Sequence, residues 1–182
     1  MSRGANLSDL SRAVSHALRH RPWLYELEFD DGGWVSADAL LRALGTESAA
    51  LSGLSESDLA RMIATSNKKR HELCDGRIRA LYGHSTPNRL QKEPVEPPAT
   101  LYHGTSPETA ELIQREGLRR MERQYVHLSI DRATAEEVGQ RKAREPVILL
   151  VRAGAAHAAG VPFYRGNDLV WLADAISQVY IE

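Results

Sequence analysis

The stretch "NRLQKEPVEPPATLYHGT", Asn88 to Thr105, is where the chain changes character. Pro94, Pro97 and Pro98 fall within five positions, a spacing that stiffens a segment and reads as a linker. Before it the apolar residues recur at helical spacing. After it they come in short runs typical of strands. The expected organisation is therefore α+β in two lobes, residues 1–92 and 100–182, joined by a linker over 93–99.

Working back from the linker, Asp75-Gly76 in "KRHELCDGRIRALY" is a two-residue hairpin turn between alternating strands. "SESD", Ser55 to Asp58, is a capping box that opens a helix with Leu59, Met62 and Ile63 on one face. Ser36 caps a shorter helix through Leu44 that buries Leu40, Leu41 and Leu44. Leu7, Leu10, Val14 and Leu18 share a face of a first helix, which Pro22 ends near His20. Three helices and a hairpin make a winged-helix outline. That outline often binds nucleic acid without establishing that it does.

The first helix ends in "SHALRHRP", Ser15 to Pro22. Arg19 and His20 in its last turn suit the negative end of a helix dipole, and they would also suit an anion. Both readings stand on this segment alone.

Beyond the linker, "TLYHGT", "YVHLSI", "PVILLV", "LVWLAD" and "SQVYIE" read as strands. One helix starts near Pro107 and stops at Gly117, and a second runs through "ATAEEVGQRKA". In "LYHGTS", Gly104 lets a ligand approach the backbone, and His103, Thr105 and Ser106 offer polar groups. Ser106 also suits a helix cap before Pro107. Alternation puts His127 and Ser129 on one strand face, which in most such lobes is simply solvated. Arg70 and Arg123 read by themselves as surface arginines.

Composition bounds the rest. With 42% hydrophobic and 26% charged residues the chain is globular, and its net charge is −1. Locally, Lys68, Lys69, Arg70, Arg77, Arg79, Arg89 and Lys92 outnumber Glu72 and Asp75, a patch suited to one anionic ligand. "MSRGANLSDL" has no apolar leader core, no apolar run approaches a membrane span, and Cys74 has no partner for an internal disulfide. These point to a cytoplasmic, membrane-free monomer. No GxGxxG, GxxxxGK[ST], CxxC pair or HExxH is present, so a Rossmann site, a P-loop and a metal centre are not expected.

Taken in order, seven segments resemble the KptA/tRNA 2′-phosphotransferase family over nearly the whole chain. "LSRAVSHALRHRP" resembles its L-S-x-x-L-S-x-x-L-R-H-x-P, and "DDGGWVSADALLRAL" its G-W-V and helix. "NKKRHEL" resembles K-x-R-F-E-L, and "RIRALYGHS" resembles I-R-A-x-Q-G-H-S. "LYHGT", "GLRRMERQYVHLS" and "VPFYRGNDLVWLAD" complete the series. Each alone is weak; the ordered set is specific.

The resemblance implies a winged-helix RNA-binding lobe followed by a strand-rich ADP-ribosyltransferase-like lobe that binds NAD⁺. It implies removal of an internal 2′-phosphate from RNA in two steps, through an ADP-ribosylated RNA phosphate. The expected products are 2′-OH RNA, nicotinamide and ADP-ribose 1″,2″-cyclic phosphate. Arg19, His20, Arg70 and Arg123 would act on the phosphate. His103, Gly104, Thr105, Ser106, His127 and Ser129 would bind NAD⁺, with Val170 where many ADP-ribosyltransferases carry a glutamate. Four departures stand out: Tyr82 in place of Gln, Tyr125 in place of a frequent His, and Asp168-Leu169 in place of Asn-Gly. Two other functions are compatible with these residues: ADP-ribosylation of terminal nucleic-acid phosphates, and a winged-helix regulator that consumes no NAD⁺.

Overall fold

The computed structural model describes residues 6–182; Met1 to Ala5, with which the first lobe is expected to begin, lie outside them. The chain is mixed α and β and divides into two compact units, Met1–Gln91 and Lys92–Glu182. The proline segment belongs with the second unit, where Pro97 is buried and Val95 N–H donates to the Phe163 carbonyl at 2.8 Å.

In the first unit, α1 (Leu7–Arg19), α2 (Ala37–Glu47) and α3 (Glu56–Ala64) pack with a three-stranded antiparallel sheet. Its strands are β1 (Val35–Ser36), β2 (His71–Cys74) and β3 (Arg77–Ala80), in the order β1-β3-β2. Leu10, Val14, Leu18, Leu40, Leu44, Leu59, Met62 and Ile78 form the core, while Leu7, Leu41 and Ile63 pack at its margin. Ser36 Oγ accepts from Ala39 N–H, and the helix it caps runs on to Glu47 rather than stopping at Leu44. The capping box at Ser55 and Asp58 is formed. Asp75 and Gly76 turn the hairpin with φ of 48° and 70°, the left-handed pair that a two-residue turn needs. Arg77 and Arg79 alternate outward from buried Ile78 and Ala80. Arg77 pairs with Asp30, and Arg79 pairs with Glu72 at 2.6 Å.

The second unit is a five-stranded antiparallel sheet in the order β6-β4-β5-β8-β7. Its strands are β4 (Leu101–Thr105), β5 (Val126–Ser129), β6 (Val147–Val151), β7 (Phe163–Arg165) and β8 (Val170–Ala173). Helices α4 (Pro107–Glu116), α5 (Arg132–Gly139) and α6 (Ala153–Ala158) complete it. Ser106 caps α4 by accepting from Thr109 N–H, and Gly117 ends it at φ 82°. Leu101, Ile113, Val126, Leu128, Leu149, Phe163 and Trp171 form the core on one face of the sheet.

Two elements differ from expectation. "SQVYIE" is not a regular strand: Gln178–Tyr180 is a 3₁₀ turn. Its flanks still close the β6 edge, with Leu150 and Glu182 exchanging backbone hydrogen bonds of 2.8 Å. The helix expected through Ala143 ends at Gly139, and the chain continues as a turn in which Lys142 N–H donates to the Gly139 carbonyl at 2.8 Å.

Candidate active site

In the first unit the site is built around the C-terminus of α1. The helix ends with carbonyls that lack an intrahelical partner. The segment after β3 supplies one, as Ser85 N–H donates to the Arg19 carbonyl at 2.9 Å. Ser85 Oγ also pairs with His20 Nδ1 at 2.9 Å, so one serine fixes two neighbouring residues. The Arg19 guanidinium lies over the Tyr82 ring, 5.1 Å from its centroid. Arg70, just before β2, is tied in through its carbonyl, which accepts from Leu81 N–H at 2.9 Å. Three residues that the resemblance names, Arg19, His20 and Arg70, thus lie near one another here.

It did not find His71. This imidazole is 3% exposed and its Nε2 lies 3.2 Å from Ser15 Oγ. It stands where the family pattern quoted above has Phe. Burial first, then the charges of Arg19, Arg70 and His84, push its pKa down to about 3. Those three groups therefore act on one spot, and the potential there is positive. His84, also buried, was read only as part of "YGHS".

In the second unit, alternation along β4 separates His103 and Thr105 from Tyr102 and Gly104. Tyr102 pairs with Ser129, so Ser129 and His127 share the Tyr102 face. The residues assigned to NAD⁺ by resemblance thus line both faces around the β4–β5 seam. His103 Nδ1 meets the His127 carbonyl at 2.9 Å and must be the protonated nitrogen, which leaves Nε2 as an acceptor. Burial pushes this ring down to about 4 against that hydrogen bond, with Lys142 and Arg123 adding to the depression. His127 donates likewise from Nδ1 to the Tyr125 carbonyl at 3.0 Å. Thr105 Oγ1 is fully buried and makes no hydrogen bond. The polar face of β5 is not solvated, since Ser129 is buried and His127 half-buried.

Gly104 has a packing requirement beside the expected one. A Cβ there would lie 1.8 Å from the Ala135 carbonyl oxygen, so α5 packing on β4 already requires glycine. Ser106 is occupied as the α4 cap. Val170 starts β8 opposite Ser129, and its N–H donates to Asn167 Oδ1 at 2.7 Å. Arg123 precedes β5 in a turn where its N–H donates to the Arg120 carbonyl at 3.1 Å. Lys142, which lies in electrostatic reach of both Arg123 and His103, was missed. Its signal, one lysine in "GQRKA", has no distinguishing spacing. Among the described residues no cluster of three His, Cys, Asp or Glu side chains could hold a metal ion. None of their helices is long and apolar enough to cross a membrane.

The family model for RNA 2′-phosphotransferase, Tpt1 / KptA family, matches residues 5–175. The chain belongs to this family. It is 53% identical over 174 residues to a "Probable RNA 2′-phosphotransferase" of Bacillus thuringiensis subsp. konkukian, covering 96% of this chain and 94% of that one. A protein of the same name from Acetivibrio thermocellus is 51% identical, with 96% and 95% covered. One from Streptomyces griseus is 42% identical over 176 residues, with 92% and 91% covered. As a member of the RNA 2′-phosphotransferase family the chain is a transferase related over nearly its full length, so the two units are matched together.

Proposed function

We propose that this protein is an NAD⁺-dependent RNA 2′-phosphotransferase, with a winged-helix first unit that binds RNA and an ADP-ribosyltransferase-like second unit that binds NAD⁺. The observation that carries this reading is the convergence of Arg19, His20 and Arg70 on the end of α1, beside His71, which burial first and then the charges of Arg19, Arg70 and His84 hold neutral. A 2′-phosphate bears about −1.5 to −2 charges near pH 7 and needs no base to become a nucleophile. It needs guanidinium forks, which match its oxygens in pairs and keep their charge.

The donors of the second unit fit a hydroxyl-rich dinucleotide. Neutral His103 offers an acceptor nitrogen, and Thr105 offers a buried hydroxyl with hydrogen-bonding capacity unused. NAD⁺ would supply an electrophilic ribose carbon with nicotinamide as leaving group. In the first step a 2′-phosphate oxygen bonds to that carbon, and the bond to nicotinamide breaks. In the second, the adjacent ribose hydroxyl bonds to phosphorus, and the RNA 2′-oxygen leaves and takes up a proton. Val170 in place of a glutamate leaves that hydroxyl unencumbered. The test is incubation of a 2′-phosphorylated RNA with and without NAD⁺. Formation of 2′-OH RNA and ADP-ribose 1″,2″-cyclic phosphate only with NAD⁺ supports the reading. Unchanged RNA, or RNA ADP-ribosylated only at a terminal phosphate, overturns it.

A further inference from the structure

We propose that Tyr82 is a positioning residue that sets the plane of the Arg19 guanidinium for phosphate binding, a task this chain gives to an aromatic ring where the family pattern has Gln. The inference rests on the reading of Arg19 as part of a phosphate grip. Arg19 Cζ lies 5.1 Å from the Tyr82 ring centroid, within the range where a guanidinium is held by the ring's negative face. The next residue continues the seat. Gly83 has φ 87°, and a Cβ on it would come 3.4 Å from one terminal nitrogen of Arg19, 3.6 Å from Cζ and 3.7 Å from Cδ. Ser85 then anchors the Arg19 carbonyl and the His20 ring, each at 2.9 Å. Four consecutive residues, Tyr82 to Ser85, thus run along the end of α1, and two of them border the guanidinium itself.

The chemistry follows from the shape of the cation. A guanidinium binds phosphate through in-plane N–H groups, so a ring held against its central carbon sets the direction in which those groups point. A long arginine side chain otherwise loses substantial rotamer freedom when it binds. Holding it in place beforehand turns that loss into affinity for a doubly charged phosphate, with no gain for RNA that lacks one. A glutamine at this position offers a hydrogen-bonding amide but no aromatic ring to hold the cation.

The experiment measures binding without NAD⁺, so that no turnover occurs. A short RNA with one internal 2′-phosphate and the same RNA without it are titrated by fluorescence anisotropy. Tyr82→Phe keeps the ring and should retain the preference for the phosphorylated RNA. Tyr82→Ala should lose about three- to thirtyfold of that preference, the range of a cation–π contact. Tyr82→Leu, which fills the space without a π face, should behave like Tyr82→Ala. Removing Tyr82 from an Arg19→Ala background should then cost nothing further. Weak binding by Tyr82→Phe, normal binding by Tyr82→Leu, or an additive double mutant overturns the proposal. If wild type does not distinguish the two RNAs, the phosphate-grip reading fails instead. The Arg19 Nε–H resonance then decides the positioning by itself. A ring-shifted signal in wild type and Tyr82→Phe that moves in Tyr82→Leu supports it, and an identical signal in all three overturns it.

Discussion

A neutral imidazole buried among cations makes stability depend on pH with a definite sign. His71 has a pKa near 3 in the folded chain and about 6.5 when unfolded, so the unfolded state binds more protons between those values. Stability contributed by its neutral form is present above about pH 6.5 and is lost as pH falls toward 3. His71→Phe, the residue of the family pattern, should reduce the stability lost between pH 7 and pH 5 by up to about 2 kcal/mol, read from urea unfolding at both values. Arg70 and His20 make sharper tests of the chemistry. Arg70→Lys keeps the charge but not the fork, and turnover of 2′-phosphorylated RNA should fall at least about tenfold. In the proposed two-step mechanism His20 serves the step in which a hydroxyl attacks phosphorus and a proton must be managed, help typically worth ~10²–10⁴-fold. His20→Ala should therefore accumulate RNA carrying ADP-ribose on its 2′-phosphate, seen as a slower band on a denaturing gel. Loss of substrate consumption without that band would move His20 to the first step or to binding. These residues were legible only through the resemblance. Arg70 alone reads as a surface arginine, and His71 was hidden because one histidine in a basic strand carries no spacing signal.

Local chemistry made most elements legible. The helices of the first unit announce themselves by caps and apolar spacing, and its hairpin by a turn dipeptide. Helix α6 and strand β7 were not seen, because "AGAAHA" has too little apolar contrast and β7 is only Phe163–Arg165. "SQVYIE" alternates like a strand, yet the backbone turns through 3₁₀ geometry before its last residues reach β6. At Gly104 an element contact gives glycine a second reason. The residue reads as making room for a ligand, and the carbonyl of Ala135 on α5 also occupies the direction of a Cβ. Gly104→Ala should push α5 off β4 and cost roughly 1–3 kcal/mol or more, measured as a lowered unfolding midpoint. Gly53→Ala is the control. At φ 73° with nothing within 4 Å it meets only backbone strain, so its loss should be smaller, about 1 kcal/mol.

For the whole chain, near-neutrality fixes how it should respond to salt. A net charge of −1 cannot hold RNA by a general field, so binding must come from the few cations gathered locally. The basic run between Ser66 and Lys92 is smaller in effect than its composition suggests, because Arg77 and Arg79 are engaged with Asp30 and Glu72. That reduction was not visible in the sequence: Asp30 is far from Arg77 along the chain and meets it only in the fold. Each RNA phosphate neutralised contributes about −0.7 to the slope of log K against log salt for single strands. Three to five contacts, the scale of Arg19, Arg70 and a few neighbouring lysines, predict a slope of roughly −2 to −4. The measurement is the affinity for a 2′-phosphorylated RNA from 50 to 200 mM salt, in parallel with its unphosphorylated twin. The phosphorylated RNA should show the steeper slope, by about one contact's worth or a little more, because its extra group carries close to two charges. A slope near −7 for both RNAs would mean coating of the backbone by many cations, and the convergence at the end of α1 would then have no special part in recognition.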